Sequence, residues 1–79
     1  MRIDKFLKVS RLIKRRTIAN EACDTERVSV NGRVVKASYS VSVGDIIEIR
    51  FGARTLKIEA LSISEHVSKS DAPAMYKEV

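Results

Sequence analysis

Val28-Ser29-Val30-Asn31-Gly32-Arg33-Val34 is the stretch in which this chain changes period, and its reading decides the fold. Valines at 28, 30 and 34 alternate with Ser29 and Arg33, the period of a half-buried strand, and Asn31-Gly32 stands between the two runs. Both residues tolerate the positive φ that a two-residue hairpin turn demands. Upstream the period is helical. Ile3, Phe6 and Leu7 recur at i, i+3 and i+4 with Ser10 closing the stripe, which predicts a short helix starting near Asp4. Ile18, Ala19, Ala22 and Cys23 predict a second helix, and its small residues imply close packing on the first. Between them Arg11-Leu12-Ile13 turns the chain, with Leu12 and Ile13 as core anchors. Lys14-Arg15-Arg16-Thr17 leads into the second helix, and Thr17 is a candidate cap.

Downstream, a polar connector (Lys36 to Ser40) leads through Val41 and Val43 to a turn at Gly44-Asp45. Two further strands follow, Ile46 to Phe51 and Thr55 to Leu61, joined through Gly52-Ala53-Arg54 as a second hairpin. Phe6 and Phe51 lie on apolar stripes and are assigned to the core. After Ser62 the pattern fades into a tail with Pro73 at what reads as a first helical position and Met75-Tyr76 available to dock. The expected fold is α+β. Two short N-terminal helices pack on a small antiparallel sheet of two hairpins over residues 1–62, followed by a partly helical tail over 63–79.

Charge constrains function more tightly than size does. Residues 1–36 carry ten Lys or Arg against four acids, while residues 37–79 carry five against six, so the net +5 resides in the first half. Such segregation points to a polyanionic partner. A chain of 79 residues buries only about 60–65% of its unfolded surface, too small a core to support a deep catalytic cleft as well. The inventory agrees: a single His66, a single Cys23 and no phosphate-cradling glycine loop, so neither an enzyme, a metal site nor a cofactor is expected. One cysteine permits no internal disulfide. No apolar run suits a leader or a bilayer span, so a soluble cytoplasmic protein acting as a monomer away from membranes is expected.

In order along the chain, Arg2-Ile3-Asp4-Lys5-Phe6-Leu7, Arg11-Leu12, Arg16, Val28-Ser29-Val30-Asn31-Gly32, then Lys36, Ser38, Val41, Gly44-Asp45 and Ile47 resemble the S4-type RNA-binding domain. With Arg50-Phe51-Gly52 and Ala74-Met75-Tyr76 added, the whole chain resembles that family's stand-alone bacterial members, the RqcP and fifteen-kilodalton heat-shock protein branch. The resemblance implies binding to large ribosomal subunits that carry a stalled peptidyl-tRNA, through ribosomal RNA and tRNA. In the RqcP branch it implies assisting C-terminal alanine tailing beside an RqcH-like tail-elongating protein. Glu26 stands where relatives commonly have a glycine helix cap, and Arg15 where many have a capping serine. A Glu forced to positive φ costs on the order of 1 kcal/mol.

RNA duplexes are recognised through shape, phosphates and 2′-hydroxyls, because side chains cannot read their deep, narrow major groove. Arg2, Lys5, Lys8, Arg11, Lys14, Arg15, Arg16 and Thr17 on the helix pair form the candidate RNA-binding set, extended by Arg33 and Lys36 beside the hairpin turn. Arginine's fork favours Arg2, Arg11 and Arg16 as phosphate grips, with Lys14 as a steering charge. Arg2 and Arg11 have an alternative as partners of Asp4, Glu21 or Asp24. Asp4 is read as an N-cap or as an orienting partner for a basic side chain. Tyr39 has two readings, base stacking or partial burial. Arg27 and Lys57 are read as strand-edge charges and Cys23 as inert packing. The alternatives to a ribosome-quality-control role are an adaptor whose basic face meets an acidic protein, and a general ribosomal-RNA-binding assembly factor.

Overall fold

The change of period at Val28 is the boundary between a helical layer and a sheet layer. The computed structural model describes all residues, 1–79. Helices α1 (Ile3–Val9) and α2 (Arg16–Asp24) precede strands β1 (Val28–Val30), β2 (Arg33–Val34), β3 (Ile46–Phe51) and β4 (Arg54–Ala60). A 3₁₀ turn (Ala72–Met75) then leads into β5 (Tyr76–Glu78). The strands form one antiparallel sheet in the order β2-β1-β3-β4-β5. No helix is long and apolar enough to cross a membrane.

Register explains the core. Val30 stands opposite Ile47 and Ile47 opposite Ile58; Val28 stands opposite Ile49 and Ile49 opposite Leu56. These two rows share one face of the sheet, and Ile3, Phe6 and Leu7 of α1 with Ala19, Ala22 and Cys23 of α2 cover it. Phe6 is wholly buried, a gain of about 1.5–3 kcal/mol over leaving it exposed. Asn31 and Gly32 both take positive φ, as the hairpin turn requires. Asn31 does more than turn the chain. Its Oδ1 accepts the Ile46 N–H (3.0 Å) and its Nδ2 donates to Asp45 Oδ1 (3.2 Å), locking the first hairpin to the Gly44-Asp45 turn.

The α2 terminus tests the replacement at position 26. Glu26 adopts φ 60°, its N–H donates to the Cys23 carbonyl (3.1 Å), and the Arg27 N–H donates to the Ala22 carbonyl (2.9 Å). This is the left-handed Schellman ending that glycine would fill without strain. Arg11 ends α1 in the same conformation, at φ 67°, with no glycine to signal it in sequence.

Several expectations are corrected. Phe51 is 44% exposed rather than core, because β3 and β4 run past the last β1 pair at Ile49 and carry the ring beyond the rows the helices cover. Ile18 on α2 is also exposed. Lys57 is not an edge charge, since β4 lies between β3 and β5. Thr17 does not cap α2 and Asp4 does not cap α1: the N-cap positions fall to Arg15 and Arg2, neither with a side-chain cap bond. The sheet has a fifth strand beyond the two expected hairpins. Tyr76–Glu78 adds to β4 as β5, and Met75 is buried beneath it. Three residues with one half-buried side chain carry no alternation to read.

Candidate nucleic-acid interface

Asp4 organises the helix face. It sits beside Ile3 and one turn from Leu7, on the stripe that packs inward, and is only 2% exposed. Backbone bonds fix it: the Asp4 N–H donates to the Ala37 carbonyl (3.3 Å), the Ile3 N–H to the Tyr39 carbonyl (2.7 Å), and Arg2 bridges Ser40. A carboxylate so buried must find donors, because an unpaired buried charge is strongly destabilising. It finds several. Oδ1 accepts Arg2 Nε (3.2 Å), Arg16 Nη2 (3.3 Å) and the Lys5 N–H (2.8 Å), while Oδ2 accepts Arg2 Nη2 and Asn20 Nδ2, both at 3.3 Å. Burial pushes the Asp4 carboxyl up, but the hydrogen bonds from Asn20, Arg16 and Arg2 outweigh it and hold the group below its ordinary value.

Arg2 and Arg16, distant in sequence, therefore converge on one carboxylate. Their side chains remain 50% and 46% exposed, so each guanidinium keeps donors facing outward. A single buried negative charge orients two positive ones and leaves the pair net positive. Arg15 stands at the N-cap of α2 with no side chain covering the helix end, and the N–H groups of Arg16 and Thr17 make no hydrogen bond within the chain. Those groups and the helix dipole add positive potential beside the arginines. Lys8, Arg11, Lys14 and Arg15 are exposed and form no ion pair.

The remaining members of the candidate set are distributed unevenly. Lys5 is bound to Glu65 of the segment after β4. That hydrogen bond and the charge of Lys5 lower the Glu65 carboxyl. Arg33 lines a shallow cleft with Tyr39, whose carbonyl fastens α1, and so adjoins the α1 end of the face. Lys36 lines a different cleft with Asp24 and Glu26, at the far end of α2 from Arg16. Tyr39 is half-buried, and its hydroxyl donates to Asp45 Oδ2 (3.3 Å), which favours anchoring over stacking. Burial, then the charge of Asp45 and the hydrogen bond to it, raise its hydroxyl. Cys23 is buried, and burial with the charges of Asp4 and Asp24 pushes its thiol up to about 11, which keeps it protonated. Asn20 was missed by the sequence reading. Its signal was weak: four residues beyond Arg16, it shares that residue's side of α2.

A family model described as the S4 domain matches residues 1–47. The chain is 51% identical over 77 residues to the "RQC P-site tRNA stabilizing factor" of Halalkalibacterium halodurans, covering 98% of this chain and 88% of that protein. It is 48% identical over 77 residues to the protein of the same name from Streptococcus pneumoniae, with the same coverage. Among solved structures, Heat Shock Protein 15 of Vibrio cholerae, a trimer, superposes with a TM-score of 0.92 at 31% identity, over 100% of this chain and 81% of that one.

Proposed function

We propose, for a chain that belongs to the S4 domain family, a non-catalytic RNA-binding role in ribosome quality control. It binds large ribosomal subunits that carry a stalled peptidyl-tRNA and holds that tRNA in place through contacts with ribosomal RNA and with the tRNA itself. Relatives named RQC P-site tRNA stabilizing factor match nearly its full length, which supports this assignment. By the same reading it assists C-terminal alanine tailing beside an RqcH-like protein and works in the cytoplasm as a monomer.

The observation that carries this reading is the convergence of Arg2 and Arg16 on Asp4 beside the uncovered start of α2. Two oriented guanidinium groups and free backbone N–H groups suit adjacent phosphates of an RNA backbone, where Arg forks bind in two places. Lys8, Arg11, Lys14 and Arg15 widen the field and steer approach. Such contacts fix orientation and carry little sequence information, which fits a partner defined by shape and position on the ribosome.

Cosedimentation with large subunits bearing peptidyl-tRNA, compared with vacant large subunits, tests the assignment. The expected result is preferential retention on the loaded subunits. With about five to seven phosphates neutralised, log K should fall against log salt with a slope of about −4 to −6. A slope near zero, or equal retention on vacant subunits, would overturn it.

A further inference from the structure

The end of the sheet beside the C-terminus of α2 carries a second group of cations that no acid satisfies. Arg27 immediately precedes β1, and its carbonyl accepts the Arg50 N–H at 2.9 Å, so the two residues are neighbours across the strands. One step further, Phe51 stands opposite Arg54 at the tip of the β3–β4 hairpin. All four are exposed, and Phe51 is the one large exposed apolar side chain between residues 44 and 60. None of the three arginines forms an ion pair. The nearest acid along β3, Glu48, is engaged by Lys57 at 3.8 Å, and Glu26, beside Arg27 in sequence, lines the cleft with Lys36. Like charges on adjacent strands are destabilising, and a ring left 44% exposed forgoes much of the gain that burial would bring, so these side chains are not arranged to stabilise the isolated chain.

We propose that this hairpin end is a second RNA contact, which takes an unpaired nucleotide by stacking its base on Phe51 while Arg54, its cross-strand neighbour on the same face of the sheet, holds the adjoining phosphate and Arg27 and Arg50, on the opposite face of the same end, add positive potential. The inference rests on the RNA-binding role of the helix face. A lone ring beside an arginine matches the flat face of a base and its phosphate, whereas a protein partner would call for a broader apolar patch than one side chain. Any base would serve, because each presents a π-face. α2, nine residues and about 13 Å long, leads from Arg16 to the turn before Arg27, so a stem held at Arg2 and Arg16 and an adjoining unpaired nucleotide can be engaged by one chain.

Fluorescence anisotropy with two labelled RNAs separates the contacts: a blunt duplex, and the same duplex with a single-stranded uridine overhang. The parent protein should bind the overhang RNA at least about 5-fold more tightly than the blunt duplex, the gain from one stacked base. Phe51→Ala should abolish that preference and leave blunt-duplex affinity unchanged, while Phe51→Trp should keep it. Arg50→Ala with Arg54→Ala should weaken overhang binding and flatten its salt dependence. A parent that binds both RNAs equally, or a Phe51→Ala variant that keeps the preference, overturns the inference. So does Phe51→Ala that retains RNA binding but loses an RqcH-like protein, which assigns the tip to a protein surface. Arg16→Ala is read on the blunt duplex: unchanged affinity there sinks the helix-face reading, and it does so separately from the result at Phe51. Because Phe51 is outside the buried cluster and 44% exposed, its variants should keep a cooperative thermal transition close to the parent's, which excludes misfolding as the cause.

Discussion

On the open face of the sheet, Lys57 stands opposite Glu48 and Lys77 opposite Glu59, with charged atoms 3.8 and 3.9 Å apart. On the helix face, Arg2 and Arg16 share the single carboxylate of Asp4, and Lys8, Arg11, Lys14 and Arg15 have no acid at all. Both faces are rich in charge. Across the middle of β3, β4 and β5 the sheet face cancels these charges in place, through exposed cross-strand pairs worth about 0–1 kcal/mol each. The helix face spends one buried acid on orientation and leaves the excess positive. What separates the proposed binding surface from a solvated one is therefore the placement of acids, not the number of lysines and arginines.

Removing both oriented guanidiniums should break this contrast most severely. Arg2→Ala with Arg16→Ala, each deleting a charge-assisted contact of about 1.5–3 kcal/mol, should weaken association with large ribosomal subunits on the order of 100-fold or more. A filter-binding titration at fixed salt measures this, and a double variant with parental affinity would show that the clamp is not the contact. Next is Asp4→Ala, which leaves the Lys5 N–H and Asn20 without an acceptor. A stability loss of about 1–3 kcal/mol in urea unfolding is expected, together with weaker RNA binding because the arginines lose their orientation. The same carboxylate predicts an acid dependence. Its folded-state value lies below that of the unfolded chain, so its stabilisation is complete above about pH 5 and is lost as pH falls through the folded value. Urea midpoints of the parent should drop between neutral pH and about pH 3 by more than those of Asp4→Ala.

Glu26 lies at the joint between the two faces and offers an effect of intermediate size. Glu26→Gly should raise stability by about 1 kcal/mol by relieving the positive φ, with RNA affinity unchanged. Glu65→Gln should sharpen the contrast slightly. It frees Lys5 for RNA, and a gain of up to about 3-fold in affinity at low salt is expected, vanishing as salt screens the pair. Smallest of all, Lys57→Ala on the sheet face should alter RNA affinity by less than about 2-fold. A larger loss would mean that the sheet face also touches RNA.

Much of this molecule was legible in its pattern. The helical stripes, Asn31-Gly32, and the run from Ile46 through Ala60 gave both helices and both hairpins, because burial on one face imposes a period that the sequence must carry. The basic set was legible as composition and spacing. Asp4 was read only as far as a cap or an orienting partner; that its carboxylate would sit in the core and join α1 to Arg16 and Asn20 depends on how α1 and α2 pack. Phe51 looked like core because its strand alternates, yet period says which side a residue faces and not whether anything covers that side. The short β5 and the Lys5–Glu65 contact had no local signal, being pairings between segments far apart in the chain.

The sequence by itself determined the α+β layout, the hairpin turn and the location of the excess charge in the first half, all consequences of local periodicity, backbone freedom and composition. Only the tertiary structure decided which cations are oriented, which are neutralised and which stand free, because ion pairs and burial are set by distances between residues that the chain order does not encode.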